Sequence, residues 1–319
     1  MSHGISRTAV VALGGNALAP ANQRSTIHDQ FRHTRESLAP IVDLVLDGWG
    51  LCIVHGNGPQ VGDELLRNEE AQAELAPLPL GVLVAGTGGW MGYMIQQSLH
   101  NALRDVGVER LIATIVTQTV VDAEDPALQR PTKFIGHAVS PERAAALRAA
   151  GQEVRPDGRG HLRRVVPSPR PVAVHEVEGV RLLLRNDAVV IACGGGGAPV
   201  REDSMGRLDG LDAVIDKDLA AAVLARDLGA ELLLILTDVD AVYTGWGTAA
   251  QRALPRLTVA EAEELDAGGT FGEGSMGPKV RAAIEFVRRT GGRAIITELS
   301  RGRDAVRGEA GTTITAEIA

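Results

Sequence analysis

The chain has 319 residues, of which 45% are hydrophobic and 23% charged, and this composition excludes a disordered, collagen-like or coiled-coil protein. Its net charge of −8 argues against a nucleic-acid-binding protein. The N-terminus lacks a basic stretch followed by an apolar one, and no apolar run is long enough for a membrane span, so we expect no secretion and no membrane partner. Both cysteines, Cys52 and Cys193, lie in apolar runs typical of buried thiols, which favours a cytoplasmic protein.

Short apolar runs rich in Val and Ile alternate with helical patterns along the chain. The predicted strands are residues 8–13, 51–54, 111–117, 188–193, 232–237 and 294–297. The predicted helices are residues 27–46, 91–105, 218–228 and 279–289. The apolar runs are continuous rather than alternating, as in a parallel sheet covered on both faces. The order therefore predicts an α/β fold.

One segment, residues 122–175, interrupts this rhythm. It holds seven of the fifteen prolines, and residues 167–171 (PSPRP) are too stiff and too poor in donors for a central strand. Neighbouring valines supply apolar content, so we expect an inserted subdomain; a disordered linker is the alternative.

Glycine-rich turns are predicted at the ends of four strands, at residues 14–16, 56–62 and 194–197 and, more loosely, at 86–92, before a helix. Turns after parallel strands share the carboxyl edge of the sheet, where open α/β folds bind ligands, and their free N–H groups suit phosphate oxygens. Tight turns and close helix packing are the other interpretation of these glycines.

Familiar signatures of other enzyme classes are absent from the sequence. There is no phosphate-binding G-x-x-x-x-G-K-[ST], no H-E-x-x-H and no G-x-S-x-G. The dinucleotide fingerprint is only approximated, at residues 56–62 and 86–92, with the last glycine one place late. A dinucleotide-binding fold is thus an alternative that the spacing of these glycines matches only in part.

The chain contains three lysines, Lys133, Lys217 and Lys279, and the other 29 of its 32 basic residues are arginine. Lys217 and Lys279 stand at the starts of predicted helices, the second directly after Pro278 at the expected first helical position. A cation is unfavourable at a helix N-terminus unless an anion lies nearby. The placement indicates a binding site for an anion of polyphosphate size, where a compact ammonium is needed rather than a planar guanidinium.

Two acids and one aromatic residue complete the candidate set. Asp216 and Asp218 flank Lys217 and are interpreted either as helix caps or as carboxylates that orient the ammonium group. Tyr243, one of two tyrosines, follows the strand at 232–237 and is a candidate platform for a base, with ordinary packing as the alternative.

Seven motifs in order along nearly the whole chain resemble those of the carbamate kinases, a family within the amino acid kinase superfamily. They are residues 10–17 (VVALGGNA), 55–62 (HGNGPQVG), 131–133 (PTK), 165–169 (VVPSP), 193–200 (CGGGGAPV), 214–218 (VIDKD) and 274–279 (GSMGPK). The chain departs from the usual pattern at residues 158–164, which are one residue longer and include His161, at Phe134, and at 86–90.

The resemblance implies a single domain spanning residues 1–319, an open three-layer α/β sandwich with a mainly parallel central sheet and an inserted protruding subdomain at 122–175. It also implies a homodimer and reversible phosphoryl transfer between carbamoyl phosphate and ADP, giving ATP and carbamate. Mg²⁺ is expected on the nucleotide phosphates, without a metal site on the protein. The alternatives are a related kinase acting on another small carboxylate, such as an acyl amino acid, and a nucleotide-binding regulator without turnover.

The resemblance also implies roles for individual residues. Lys133, Lys217 and Lys279 would contact the transferring phosphoryl group, and Asp218 would organise the lysines. The substrate side would be formed by Gly14, Gly15, Asn16, Gly56, Asn57, Gly58, Gly195 and Gly196. The nucleotide side would be formed by Lys217, Thr237, Asp238, Asp240, Tyr243, Met276 and Lys279.

Overall fold

The structure is a computed structural model that describes residues 7–14, 18, 26–158, 160–272 and 276–317. Its strands are β1 (Thr8–Leu13), β2 (Gly50–His55), β3 (Ile112–Thr114), β4 (Gln118–Val121), β5 (Lys133–Ile135), β6 (Val154–Pro156), β7 (Leu162–Val166), β8 (Pro171–Val174), β9 (Val189–Ile191), β10 (Ala198–Glu202), β11 (Leu208–Gly210), β12 (Leu232–Thr237), β13 (Val242–Thr244), β14 (Arg252–Leu254), β15 (Arg256–Thr258), β16 (Arg293–Glu298) and β17 (Thr312–Thr315). Its α-helices are α1 (Ile27–Glu36), α2 (Ala39–Leu46), α3 (Gly58–Glu70), α4 (Leu80–Asp105), α5 (Pro141–Ala149), α6 (Val177–Arg185), α7 (Lys217–Leu228), α8 (Val259–Ala267), α9 (Met276–Thr290) and α10 (Gly302–Val306).

Within the described residues, the largest sheet has eight strands in the order β15-β17-β16-β12-β1-β2-β9-β3. Strand β1 lies inside it and pairs in parallel with β12 on one side and β2 on the other. The pair of β16 and β17 is antiparallel, and the other neighbouring pairs of this sheet are parallel. The carboxyl ends of β12, β1, β2 and β9 therefore meet at one edge.

Alternate residues of the central strands face two separate hydrophobic cores. Val10 and Ala12 pack with residues of α6, α7 and α9 on one face. Val11 and Leu13 pack with residues of α2, α4 and α10 on the other. Burial on both faces explains why the strands read as continuous apolar runs. The resulting three layers, helices, sheet and helices, confirm the predicted α/β fold class.

Three smaller sheets flank this framework among the described residues. One has the order β11-β10-β4-β8, one is the antiparallel set β5-β7-β6, and one is the hairpin of β13 and β14. The proline-rich segment leads into β8, which is an edge strand as Pro171 requires. Helix α5 and β6 form a small core of their own with Ala144, Leu147 and Val154. That residues 122–175 form one inserted unit stays a prediction.

Several predicted elements are shorter or divided in the structure. The helix expected over 27–46 is two helices that end and begin around Ser37 and Leu38, because Pro40 starts a new helix in its first turn. The strand expected over 111–117 is the short β3, and the chain then enters β4 of a different sheet. Pro278 is not the first helical residue, since α9 already includes Met276.

The glycine turn predicted at 86–92 is wrong. These residues lie inside α4, which begins at Leu80 and continues without interruption to Asp105. Two of its glycines permit close packing instead: a Cβ on Gly88 would lie 3.2 Å from the carbonyl oxygen of Gly194, and one on Gly92 would lie 2.2 Å from Thr114 Cγ2. The helix thus tolerates glycine because it must approach the turn after β9 and the end of β3 closely.

Candidate active site

The candidate site lies where the central parallel strands end. Gly14 follows β1 and donates its N–H to the carbonyl oxygen of Leu236 at 3.0 Å, and Gly56 follows β2 and donates to Leu13 at 3.2 Å. These bonds tie three strand ends into one rim. Gly15 and Asn16, the next two predicted substrate residues, lie outside the described residues.

The N-terminus of α7 is capped by Asp216, as one of the two interpretations of that residue predicts. Asp216 Oδ1 accepts the backbone N–H groups of Asp218 at 2.9 Å and Leu219 at 3.3 Å. Its other oxygen, Oδ2, accepts a hydrogen bond from the ammonium group of Lys133 on β5. One carboxylate therefore joins the start of a helix to a lysine 83 residues away.

Asp218 holds the other two lysines. Lys217 Nζ lies 2.5 Å from Asp218 Oδ1, and Lys279 Nζ, from α9, lies 3.3 Å from Asp218 Oδ2. The carboxylate side chain is only 3% exposed, whereas the lysine side chains are 11% and 14% exposed. Asp218 is thus a buried counter-ion, and the ammonium groups reach the surface of the site. As predicted, Lys217 and Lys279 lie at the starts of helices. In the structure both form ion pairs with Asp218 of the same chain.

Charge and burial set the protonation of this cluster. Burial raises the pKa of Asp216 and of Asp218, but the neighbouring lysines outweigh it and hold both pKa values below the ordinary range. Burial lowers the pKa of Lys217, and Asp218 offsets only part of this. Burial also lowers the pKa of Lys279, but Asp218 and Asp216 together raise it above its usual value. The cluster thus brings together three lysines and two aspartates, one basic side chain more than acidic ones, which suits an anionic ligand.

The turn after β9 has a left-handed backbone conformation, which is unfavourable only at the non-glycine residue Cys193. Cys193 has a φ of +49°, and Gly195 and Gly196 have φ values of +66° and +91°. Thr117 Oγ1 accepts the N–H of Cys193 at 2.9 Å, and Thr119 Oγ1 donates to the carbonyl oxygen of Gly196 at 2.7 Å. The two threonines fix this turn from β4 and the segment before it.

The close neighbours of these glycines belong to the protein itself. A Cβ on Gly195 would lie 2.2 Å from Asn57 Nδ2, and one on Gly196 would lie 2.4 Å from the carbonyl oxygen of Ile215. Asn57 in turn donates from Nδ2 to Thr87 Oγ1 of α4 at 2.8 Å. The glycine run therefore brings the turn after β9 against the turn after β2 and the residues that lead into α7.

Sequence reasoning gave no individual role to His55, which is fully buried at the end of β2. Burial lowers its pKa to about 4, the charge of Lys217 acts in the same direction, and hydrogen bonds to the backbone of Gly56 and Gly88 oppose them. A Cβ on Gly194 would lie 2.7 Å from His55 Nε2. The neutral imidazole thus lies against the glycine turn, within range of the charge of Lys217. In the sequence, only its position in the 55–62 motif indicated that His55 belongs to the candidate site.

The predicted nucleotide residues lie beyond β12. Thr237 ends that strand, and its hydroxyl donates to Asp238 Oδ1 at 3.1 Å. Tyr243 on β13 donates its hydroxyl to Asp240 at 2.8 Å. The Tyr243 ring lies 5.3 Å from that of Trp246, an exposed aromatic residue that sequence analysis did not select.

Two of the predicted nucleotide residues lie near the lysine cluster. The charge of Asp238 helps to raise the pKa of Lys279. Met276 starts α9, three residues before Lys279, and packs partly buried against the core.

Among the described residues, no group of three or more His, Cys, Asp or Glu side chains is arranged to hold a metal ion. No helix in the described part of the chain is both long and apolar enough to cross a membrane.

Comparisons with known proteins show which family the chain resembles over nearly its whole length. The model of the amino acid kinase family matches residues 7–298. The carbamate kinase of Pyrococcus horikoshii is 43% identical over 309 residues, which cover 96% of this chain and 98% of that protein. The carbamate kinase of Halobacterium salinarum is 48% identical over 308 residues, covering 96% of this chain and 97% of that protein.

Solved structures show the same fold. Carbamate kinase from Giardia lamblia bound to citric acid superimposes with a TM-score of 0.92 at 40% identity, covering 99% of both chains. The same enzyme bound to AMP-PNP superimposes with a TM-score of 0.90 at 38% identity, again covering 99% of both chains. N-acetylglutamate synthase from Neisseria gonorrhoeae, at 17% identity and a TM-score of 0.53, shares the fold alone.

Proposed function

Because this chain belongs to the amino acid kinase family and is a phosphotransferase, we propose that it transfers a phosphoryl group reversibly between carbamoyl phosphate and ADP, giving ATP and carbamate. The observation that carries the proposal is the buried Asp218 with Lys217 and Lys279 on its two oxygens, at the edge where the central strands end. Relatives named as carbamate kinases over nearly the whole chain supply the substrate class.

In the proposed reaction, a terminal phosphate oxygen of ADP forms a bond to phosphorus while the bond from phosphorus to the carbamoyl oxygen breaks. Carbamate leaves as an anion, so no proton has to move. Such a transfer needs in-line positioning and stabilisation of charge on the phosphoryl oxygens. Lys133, Lys217 and Lys279 would supply that charge, each turning from its aspartate toward the phosphoryl group. Mg²⁺ bound to the nucleotide phosphates would neutralise further charge.

Asp218 would act as the organiser of two lysines, since its side chain is buried and each of its oxygens faces one of them. Asp216 would do the same for Lys133. The carbamate side would be formed by the turns that hold Gly14, Gly15, Asn16, Gly56, Asn57, Gly58, Gly195 and Gly196. The nucleotide side would be formed by Thr237, Asp238, Asp240, Tyr243 and Met276 together with Lys217 and Lys279.

Two other functions remain to be tested against this one. A kinase for another small carboxylate, such as an acyl amino acid, would use the same lysines with a different substrate pocket. A nucleotide-binding regulator would not need three lysines in a chain that otherwise uses arginine. We also propose that the protein is cytoplasmic, that it forms a homodimer and that residues 122–175 protrude as an inserted subdomain.

The decisive experiment is a coupled assay of ATP formation by the purified protein from carbamoyl phosphate, ADP and Mg²⁺. An acyl amino acid with ATP is run in parallel. We expect enzymatic turnover with carbamoyl phosphate and none with the acyl amino acid. Turnover only in the parallel reaction would identify the related kinase, and nucleotide binding without turnover in either would identify the regulator.

A further inference from the structure

The sheet that carries Lys133 is attached to the rest of the protein along helix α3. Near the start of that helix, the N–H of Gly136, directly after β5, donates to the carbonyl oxygen of Gly58 at 2.9 Å. A Cβ on Gly62 would lie 2.1 Å from the Cα of Gly136, so the two backbones are in direct contact. Helix α3 begins beside Asn57 of the candidate site, and this contact therefore joins the sheet to the site at one end of the helix.

A second attachment lies at the other end of α3. Glu69 accepts a hydrogen bond from Arg164 of β7 through Oε1 and another from Arg143 of α5, at 3.0 Å, through Oε2. The Arg164 side chain is only 9% exposed, and that of Glu69 is 25% exposed. A cation so buried requires a carboxylate partner, and removal of that partner is costly. Glu69 thus connects α3 with both β7 and α5.

The pairing of β5 with β7 carries this attachment to the candidate site. Lys133 pairs with Val166, and Ile135 pairs with Arg164, two residues away on the same strand. Between the two attachments, Val61 of α3 packs with Ile135 and Val166 in a small buried cluster. A shift of Arg164 along α3 would therefore move Lys133 relative to Asp216 of the framework.

We propose that Glu69 is a positioning residue for Lys133: through Arg164 and Arg143 it fixes the β5-β7-β6 sheet so that the Lys133 ammonium group reaches the transferring phosphoryl group. The inference rests on the proposed function. Glu69 touches neither substrate in this account, and it acts only through the placement of the lysine.

The test compares Glu69→Gln with Glu70→Gln. Both changes remove one negative charge from the same turn of α3, but the Glu70 side chain is 70% exposed and lies 3.7 Å from Arg143. For ATP formation from carbamoyl phosphate and ADP, we expect Glu69→Gln to lower kcat about tenfold with the KM for ADP changed less than about twofold, and Glu70→Gln to change neither by more than about twofold. Equal kcat values in the two variants would overturn the proposal.

A double-mutant cycle separates positioning from a general loss of stability. If Glu69 acts through Lys133, Glu69→Gln adds less than about a twofold effect to a Lys133→Ala variant. A further tenfold loss in that background would mean that Glu69 acts elsewhere, and the inference fails. Wild-type protein without turnover would instead refute the proposed function. Should Glu69→Gln not fold, Arg143→Gln, which leaves the buried Arg164 paired, takes its place in the same cycle with the same expected pattern.

Discussion

Lys133, Lys217 and Lys279 meet two aspartates at one rim of the sheet, in a chain whose other cations are all arginine. An ammonium group is a compact point charge that can rotate from one oxygen to another, whereas guanidinium is planar and prefers a fixed pair of oxygens. In the proposed reaction the cations leave their own carboxylates and follow the phosphoryl group, which favours an ammonium group over a guanidinium group. The proposed function would thus account for lysine at these positions.

We therefore expect Lys217→Arg and Lys279→Arg to lower kcat for ATP formation by about 100-fold or more, although both keep the charge. The matched control is Arg289→Lys, the reverse exchange at an exposed position of the same helix as Lys279. Its kcat should stay within about twofold of the wild-type value. Circular dichroism checks that all three variants fold. Turnover close to wild type in either lysine variant would contradict the need for an ammonium group.

The three lysines could be selected from the sequence because they are rare, and Lys217 and Lys279 also because they stand at helix starts. Their partners could be selected only in part. Asp216 and Asp218 adjoin Lys217 in the chain, and a capping role for one of them followed from local rules. The bond between Asp216 and Lys133 could not be predicted, because it depends on the tertiary placement of two elements 83 residues apart. The roles of Thr87, Thr117 and Thr119 were missed for the same reason.

In helix α4, the glycine residues led to a wrong prediction of secondary structure. Its glycines at 86, 88, 89 and 92 were interpreted as a turn because local rules associate glycine with loops. In the structure they lie in a helix whose packing against Gly194 and Thr114 leaves no room for side chains at Gly88 and Gly92. Tertiary packing outweighs local propensity here, and the sequence contains no local sign of it.

The two kinds of glycine in α4 lead to opposite expectations for stability. Gly86 is exposed, and a Cβ there would meet nothing within 4 Å, so Gly86→Ala should raise the free energy of unfolding by about 0.5–1 kcal/mol. Gly92→Ala should lower it by about 1–3 kcal/mol, because Thr114 would have to move. Urea unfolding of both variants measures the difference. A stabilising effect of Gly92→Ala would show that the helix can shift away from β3.

Most central strands were predicted at nearly their observed positions, because burial on both faces leaves a continuous apolar pattern. The residues of β1 and β12 agree with the predicted ranges 8–13 and 232–237 at both ends. The predicted strand at 111–117 was wrong in length because the chain changes sheets there, between β3 and β4. An apolar run in the sequence does not show which strand it will pair with. The boundary of two helices at Pro40 was readable from local rules and was overlooked.

At the scale of the whole molecule, the buried His55 links stability to pH. Its pKa in the folded protein is about 4, below the ordinary 6.5. As pH falls, the unfolded chain binds a proton near 6.5, while the folded protein does not until about 4. The contribution of His55 therefore leaves the free energy of unfolding at its full value above about pH 6.5. It lowers that free energy progressively as the pH falls from 6.5 to about 4.

This difference should remove about 2 kcal/mol from the free energy of unfolding between pH 7 and pH 5. Urea unfolding at the two pH values measures it in the wild type and in His55→Gln. The variant should lose about 2 kcal/mol less over that interval, whatever its stability at pH 7. His28→Gln, at an exposed position, is the control and should match the wild-type slope. An unchanged slope in His55→Gln would show that the imidazole is not the responsible group.

The two oxygens of Asp216 serve different parts of the molecule, one the start of α7 and the other Lys133 of a separate sheet. In evolutionary terms, this position is constrained from two directions at once. Asparagine or serine would preserve the helix cap but remove the charge that Lys133 needs, and glutamate would preserve the charge but lengthen the side chain away from the cap. A substitution of Asp216 therefore affects the start of α7 and the placement of Lys133 at the same time. Mutational drift in the helix and mutational drift in the candidate site are coupled at this aspartate.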